Sequence, residues 1–229
     1  MKIGILTSGG DCQALNATMA SLAKTLYRQD KDIELIGFFK GYRGLMYGDY
    51  KKMSPTNFED ILNVGGTILK TSRCPFKKMR VIEDGFDKVE AMKKTYKKLK
   101  LDGLVVLGGN GSLKSANMLS QEGLNVIGLP KTIDNDTWGT DYTFGFQSAV
   151  DIATHYLDEI QTTAKSHDRV FVVEIMGHRV GHICLAAGIA SHADVILLPE
   201  IPYDIKAVVK KIKENQKNGK NYTIIACAE

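Results

Sequence analysis

The reactive side chains of this sequence are concentrated in the run GLPKTIDND at residues 128–136. Within it a lysine, a threonine and two aspartates combine a cation, a hydroxyl and two carboxylates. The apolar segment at residues 125–129 has the composition of a short buried strand. Since ligands of open α/β sheets bind beyond the carboxyl ends of the strands, we expect this run to bind a phosphate group, to orient a substrate hydroxyl and to accept its proton.

Two glycine-rich segments, TSGGD at residues 7–11 and GGNGS at residues 108–112, each stand between a predicted strand and a predicted helix. Glycine lets the backbone approach a phosphate closely, and the first turn of a helix offers free N–H groups and a positive dipole. Both segments therefore predict phosphate binding. For the first segment, a tight strand-to-helix turn without a ligand is an equal alternative.

Strands and helices alternate along the whole chain, which predicts an α/β fold with a largely parallel sheet covered by helices. The predicted strands lie at residues 3–6, 34–39, 103–107, 126–129, 170–175, 195–198 and 222–227. The predicted helices lie at residues 14–28, 58–62, 84–100, 113–121, 145–165, 180–190 and 205–218. Residues 41–53 contain tyrosine and glycine without a helical period, and they predict a hairpin.

The bulk composition sets limits on the class of protein. The 229 residues are 44% hydrophobic and 24% charged, as in a soluble globular protein of one large or two modest domains. The net charge of +4 is too small to predict a nucleic-acid partner. No apolar stretch approaches the ~18 residues of a membrane span, and the N-terminus has a strand pattern rather than that of a signal peptide. The four cysteines lack metal-type spacing, which predicts reduced thiols in a cytoplasmic protein.

Together with MGHRVGH at residues 176–182, these motifs resemble those of the 6-phosphofructokinase family, in order and in spacing, along the whole chain. The resemblance implies a phosphofructokinase-like α/β fold of two Rossmann-like, three-layer lobes with mostly parallel sheets. It assigns residues 1–142 to the lobe that binds the phosphoryl donor and residues 143–229 to the lobe that binds the sugar phosphate. Because family members are longer, we expect this chain to be truncated and both lobes to be incomplete; the first would lack a C-terminal segment that returns to it.

The activity implied by the resemblance is transfer of a phosphoryl group from ATP, or in some branches from pyrophosphate, to the 1-hydroxyl of fructose 6-phosphate. The cofactor is Mg²⁺, the product is fructose 1,6-bisphosphate, and the reaction belongs to glycolysis. The resemblance also implies a cytoplasmic homo-oligomer, a dimer or a tetramer, without nucleic-acid or membrane partners.

On the donor side, the resemblance implies that the two glycine segments line the phosphates and that Asn110 helps to hold the metal, in place of the family's usual aspartate. An amide keeps an oxygen ligand but loses the charge, so the ion must rely on phosphates and other carboxylates. The donor-site residues implied in this way are Gly10, Arg73, Cys74, Gly109, Asn110, Gly111 and Ser112.

Two positions give opposite indications about the donor. Glycine at position 111 leaves room for ATP, whereas family members with aspartate there use pyrophosphate. Lys131, a further expected substrate contact, is typical of the pyrophosphate-dependent and related branches. We predict ATP, because a side chain at Gly111 would block the nucleotide, and pyrophosphate remains the alternative.

The resemblance also assigns catalytic roles. Asp134 is expected to accept the proton of the sugar hydroxyl, and Thr132 is expected to hydrogen-bond the phosphoryl group in transfer. Arg73 would neutralise the charge that develops on this group, although without the resemblance it would be interpreted as a surface arginine. Asp136 would steady the loop or share the metal's ligand shell.

For the sugar phosphate, the resemblance implies contacts from residues next to the strands predicted at residues 170–175 and 222–227. Arg169 would reach the sugar phosphate of a neighbouring subunit. Met176 and Gly177 would shape the sugar pocket, together with His178, which stands where the family usually has arginine. Glu229 corresponds to a carboxylate that hydrogen-bonds the sugar hydroxyls.

Two alternatives of other kinds stay open. The departures at Asn110 and His178 favour a catalytically impaired subunit that binds sugar phosphate, or a regulatory one. An enzyme similar to NAD or lipid kinases would explain the GGNGS segment, but it would not explain the run at residues 128–136.

Overall fold

The computed structural model describes residues 1–229 and divides them into two compact units. The first unit contains Met1–Thr132 and Thr137–Thr140, and the second contains Ile133–Asp136 and Asp141–Glu229. Each unit combines strands and helices. No helix combines the length and the apolar character that crossing a bilayer requires.

The first unit contains a mostly parallel sheet. Its strands are β1 (Lys2–Ser8), β2 (Glu34–Phe38), β3 (Tyr50–Met53), β4 (Gly103–Gly108) and β5 (Val126–Thr132). They lie side by side in the order β3-β2-β1-β4-β5, and all neighbouring pairs are parallel except β2 with β3. The helices of this unit are α1 (Leu15–Gln29), α2 (Tyr42–Tyr47), α3 (Lys88–Leu99) and α4 (Asn110–Gln121).

The centre of this sheet is fully buried, which explains its sequence. Residues of β4 are buried along the whole strand, and β1 is buried from Gly4 to Ser8. A strand covered on both faces carries a continuous apolar run instead of an alternating one. Phe38, Tyr42, Met92 and Leu104 are among the side chains that form the core between the sheet and its helices.

Helix α3 begins at Lys88, four positions after the predicted start at residue 84. The side chain of Asp87 accepts hydrogen bonds from the backbone N–H groups of Val89 and Glu90, at 2.9 and 3.0 Å. A capped N-terminus of this kind fixes the first helical residue. Asp84 instead has φ of +51° and lies in the preceding turn.

Two of the secondary-structure predictions for this unit were wrong. Residues 41–53 do not form a hairpin: α2 comes first, and β3 then pairs with β2. A helix of six residues is too short to produce a recognisable period. The helix predicted at residues 58–62 is instead a 3₁₀ turn at Pro55–Phe58, which Ser54 and Asn57 open with reciprocal hydrogen bonds.

The second unit contains β6 (Phe144–Gly145), α5 (Phe146–Ser166), β7 (Val170–Ile175), α6 (His182–Ala190), β8 (Val195–Leu197), α7 (Ile205–Lys217) and β9 (Thr223–Ala228). Its parallel three-stranded sheet has the order β7-β9-β8. Side chains of α5 and α6, such as Leu157 and Ile183, pack with Ile224 and Ala226 of β9 in its core. The predicted α/β class with mostly parallel sheets is therefore confirmed.

Candidate active site

The sheet register of the first unit brings three predicted site segments to one edge. Ser8 at the end of β1 pairs with Gly108 at the end of β4, and Gly108 pairs with Pro130 of β5. The chain segments that follow these three residues therefore lie at neighbouring carboxyl ends of parallel strands. This is the position where open α/β sheets bind ligands.

The glycine turn after β1 is held by hydrogen bonds to its carbonyl groups. The hydroxyl of Thr71 donates to the carbonyl oxygen of Gly9 at 2.7 Å. The ammonium of Lys131, almost fully buried, donates to the carbonyl oxygen of Gly10. Lys131 and Thr132 were predicted in a loop, but they are the last two residues of β5, directly after Pro130, where the pairing with β4 ends. The strand thus fixes the backbone that carries the buried cation.

The second glycine segment is the start of α4 rather than a loop before it. Gly109 has an extended backbone at the N-cap position, and Asn110, Gly111 and Ser112 form the first helical turn. The N–H groups of a first turn have no partners within the helix, and the helix dipole is positive there. The predicted start at residue 113 was wrong because a glycine N-cap provides no side-chain signal. This arrangement is well suited to bind an anion.

A buried hydroxyl network supports this first turn. Tyr42, fully buried, donates its hydroxyl to the carbonyl oxygen of Ser112 at 2.7 Å. The hydroxyl of Ser112 donates to that of Ser8 at 3.0 Å, which links α4 to β1. Burial raises the pKa of Tyr42 well above its usual value, so it stays a neutral donor. No pattern in the sequence indicates this role of Tyr42.

Gly10 and Gly111 border open space. A Cβ atom added at either glycine would have no other heavy atom within 4 Å, apart from the neighbouring residues in the chain and the backbone of its own helix. At Gly108 it would instead collide with Ser112. Gly108 is therefore required for packing, whereas Gly10 and Gly111 leave room beside a helix N-terminus and a fixed turn.

Residues 71–74 lie against the glycine turn. The backbone N–H of Gly9 donates to the carbonyl oxygen of Ser72 at 3.4 Å. The side chain of Arg73 is exposed, whereas Cys74 packs against the core of the first unit. The structure thus brings Arg73 to the same edge of the sheet as Gly10.

In the second unit, the turn after β7 has a strained backbone. His178 and Arg179 have φ of +49° and +71°, and the N–H of Val180 donates to the carbonyl oxygen of Gly177 at 3.2 Å. Two central residues with positive φ are typical of a type I′ turn, which favours glycine or asparagine. Any residue other than glycine or asparagine adopts this conformation at a cost of about 1–2 kcal/mol.

The carboxylate of Glu229 holds this turn. Its Oε2 atom accepts the backbone N–H groups of Gly177 and His178, at 3.4 and 3.2 Å. The predicted sugar-site residues Met176, Gly177, His178 and Glu229 are thus adjacent in the second unit. Met176 is 65% exposed, so its side chain is accessible to a ligand.

Arg169 lies away from this group. It precedes β7, whereas Met176 follows that strand, so about 20 Å of extended backbone separates them. The second unit does not bring Arg169 together with the turn. Asp134 and Asp136 belong to the second unit and are partly buried.

The structure contains no cluster of three or more His, Cys, Asp or Glu side chains that could hold a metal ion. A divalent cation at Asn110 would therefore need oxygen ligands from phosphate groups. Mg²⁺ is commonly bound in this way, through few protein ligands and several phosphate oxygens. The donor set at the start of α4 fits Mg²⁺ only as a complex with a phosphorylated ligand.

Comparison with known proteins identifies the family. The phosphofructokinase family model matches residues 2–229, and the chain belongs to this family. An ATP-dependent 6-phosphofructokinase of Spirochaeta thermophila is 54% identical over 99% of this chain and 63% of its own length. ATP-dependent 6-phosphofructokinase 3 of Bacteroides thetaiotaomicron is 47% identical over 100% of this chain and 68% of its own length. The chain thus spans about 63% of the length of the first of these relatives.

Solved structures agree with the assignment of the fold. Phosphofructokinase from Saccharomyces cerevisiae superposes with a TM-score of 0.90 at 31% identity, over 100% of this chain and 33% of that chain. A pyrophosphate-dependent phosphofructokinase from Marinobacter aquaeolei superposes with a TM-score of 0.83 at 21% identity, over 99% of this chain and 60% of that chain. The second similarity concerns the fold alone.

Proposed function

We propose that this chain belongs to an ATP-dependent 6-phosphofructokinase that acts in the cytoplasm, in glycolysis. The reaction transfers the terminal phosphoryl group of ATP to the 1-hydroxyl of fructose 6-phosphate. The names of the relatives at 54% and 47% identity support both the reaction and the donor. The observation that carries the proposal is the open space at Gly10 and Gly111, beside the N-terminus of α4.

The choice of ATP rests on Gly111. Because no atom occupies the position of its missing side chain, the space in front of the first helical turn is available to a nucleotide. The backbone N–H groups of this turn and the turn at Gly10 would bind the phosphates. Arg73, exposed at the same edge, would neutralise charge on the transferring group.

Phosphoryl transfer requires mainly positioning and charge neutralisation. In our proposal Asp134 accepts the proton from the sugar hydroxyl as its oxygen attacks phosphorus. Thr132 donates a hydrogen bond to the phosphoryl group, and Asp136 steadies the loop. Mg²⁺, when bound with the phosphates, would supply positive charge next to Asn110.

The sugar phosphate would bind at the turn after β7. The backbone at Gly177 and the side chains of Met176 and His178 would shape the pocket, while Glu229 would accept hydrogen bonds from sugar hydroxyls. The distance along β7 between this turn and Arg169 is consistent with Arg169 serving a neighbouring subunit's site. We therefore propose a homo-oligomer, either a dimer or a tetramer.

Pyrophosphate is the second candidate donor, and the observation that favours it is Lys131. Its buried ammonium lies against Gly10, where it would attract a small polyanionic donor without contacts to a nucleoside. A sugar-phosphate-binding subunit with impaired catalysis is the other alternative, because histidine at position 178 lacks the permanent charge of arginine.

The test is fructose 1,6-bisphosphate formation from fructose 6-phosphate and Mg²⁺, with ATP and pyrophosphate in parallel. It should be run on this chain and on the complete gene product, since the relatives are longer. Product with ATP alone is the expected result. Product with pyrophosphate alone would show that pyrophosphate, not ATP, is the donor. Binding of fructose 6-phosphate without turnover would show that the protein is a sugar-phosphate-binding subunit instead.

A further inference from the structure

Asn135, between the two aspartates of the predicted catalytic loop, bridges that loop to a later segment of the second unit. Its side-chain Nδ2 donates to the carbonyl oxygen of Asp141 at 3.1 Å. Its Oδ1 accepts the backbone N–H of Thr143 at 2.9 Å. Both partners are backbone groups of fixed polarity, so only one orientation of the amide satisfies them.

The segment that Asn135 contacts is itself anchored. Thr143 is only 4% exposed, and its hydroxyl lies 3.4 Å from the same Oδ1 atom. The carbonyl oxygen of Thr143 accepts the backbone N–H of Phe146, the first residue of α5. The amide of Asn135 therefore connects the catalytic loop to the beginning of a 21-residue helix.

Asp134 is consequently held from both sides along the chain. Before it, Ile133 packs against the hydrophobic core of the second unit. After it, Asn135 has φ of +55°, in the left-handed region that asparagine adopts more readily than most residues. The two anchors leave Asp134 little freedom to move along the loop.

We propose that Asn135 is a positioning residue that fixes the carboxylate of Asp134 for proton transfer. The inference rests on the proposed function, because it assumes that Asp134 accepts the proton. A misplaced base lowers the rate of the chemical step much more than it weakens substrate binding. The side chain of Asn135 acts through Asp134 and need not touch the substrate.

The first test measures the bridge itself, without reference to activity. Glycine adopts positive φ without strain, so Asn135→Gly removes all three hydrogen bonds of the side chain and retains the backbone conformation. We expect the backbone N–H of Thr143 to exchange with solvent about tenfold faster in this variant. His192→Gly is the matched control, since His192 is exposed, has φ of +56° and lies in the same unit. Unchanged exchange at Thr143 in Asn135→Gly would overturn the bridge.

The second test is a double-mutant cycle in the complete gene product. Asn135→Gly should lower kcat about 10- to 100-fold with little change in the KM for fructose 6-phosphate, and His192→Gly should change neither. In an Asp134→Ser background, Asn135→Gly should cause no further loss of kcat, because the group that it positions is gone. Losses that multiply, or a change confined to KM, would overturn the inference. If the wild-type protein makes no product while Thr143 remains protected, the proposed function fails and the bridge stands.

Discussion

The carboxylate of Glu200 accepts the backbone N–H of Gly181, with 2.7 Å between Oε1 and the nitrogen. Gly181 is the N-cap residue of α6 and ends the turn that begins at Gly177. Glu229 binds the other end of the same turn. Two carboxylates therefore hold the ends of a strained segment that carries His178, which explains how this conformation persists without glycine at its centre.

The bond between Glu200 and Gly181 predicts a pH dependence. Hydrogen bonding from the N–H of Gly181 is the largest cause that holds the pKa of Glu200 below its usual value of 4.5. A lowered pKa in the folded state means that this contribution to stability is fully present above pH 4.5 and is lost as the pH falls through the lowered pKa. The N–H resonance of Gly181, followed by NMR from neutral to acidic pH, should shift only in that acidic range. Glu200→Gln keeps an acceptor oxygen and should abolish the titration; a persisting titration would assign it to another group.

The contacts of Asp194 predict that its side chain stabilises the second unit. Its carboxylate, 8% exposed, accepts the side chains of Lys220 and Asn215 at 2.6 and 3.0 Å and the backbone N–H of Ile224 at 2.9 Å. Asp194→Ala should reduce the free energy of unfolding by about 1–3 kcal/mol, measured by urea denaturation, since it leaves the partly buried cation of Lys220 and the N–H of Ile224 without their acceptor and removes one of the two acceptors of Asn215.

The matched control for this effect is the exposed pair of Lys210 and Glu214, whose charged atoms are 3.9 Å apart. Glu214→Ala should change the free energy of unfolding by less than about 0.5 kcal/mol, because exposed ion pairs contribute little. Equal effects of the two substitutions would contradict the importance that we assign to Asp194.

The open space at Gly111 predicts that ATP is the donor. Gly111→Asp should lower kcat/KM for ATP by roughly two orders of magnitude, because a carboxylate would enter the open space and repel phosphate. The protein should stay folded, since an acidic side chain in the first turn of a helix interacts favourably with the dipole. Parallel assays with ATP and pyrophosphate, together with a thermal unfolding curve, measure both effects. Unimpaired use of ATP by a folded variant would show that this space is not the nucleotide site.

The buried hydroxyl of Tyr42 should affect both the stability of the protein and the binding of the donor. Tyr42→Phe removes the donor to the carbonyl oxygen of Ser112 and should reduce the free energy of unfolding by about 1–2 kcal/mol. We also expect a raised KM for ATP, because the first turn of α4 loses its support. Tyr47→Phe is the control: this tyrosine belongs to the same short helix but is 64% exposed. A variant with normal stability and a normal KM would contradict the supporting role.

The sequence predicted those parts of the fold that depend on local pattern. The apolar runs of β1 and β4 marked buried strands. The run of β5 marked a strand, but the predicted burial was wrong, because Ile127 is 59% exposed. The ends of the three strands mark the edge where we propose that phosphate binds. Prediction from the sequence failed where the hydrophobic pattern is too short, as in the six-residue helix α2. It also failed where the N-cap residue has no side chain to mark the start of a helix, as at Gly109. The contacts of Asn135, Glu200 and Tyr42 were missed because each partner is separated along the chain and only folding brings the two together.

In our proposal Asp134 accepts the proton of the sugar hydroxyl during phosphoryl transfer from ATP. The most direct measurement compares wild type and Asp134→Ser in the complete gene product, with turnover of fructose 6-phosphate and its binding constant determined on the same samples. The proposal predicts that kcat falls by several orders of magnitude while fructose 6-phosphate still binds. Near-normal turnover in the Asp134→Ser variant would contradict it.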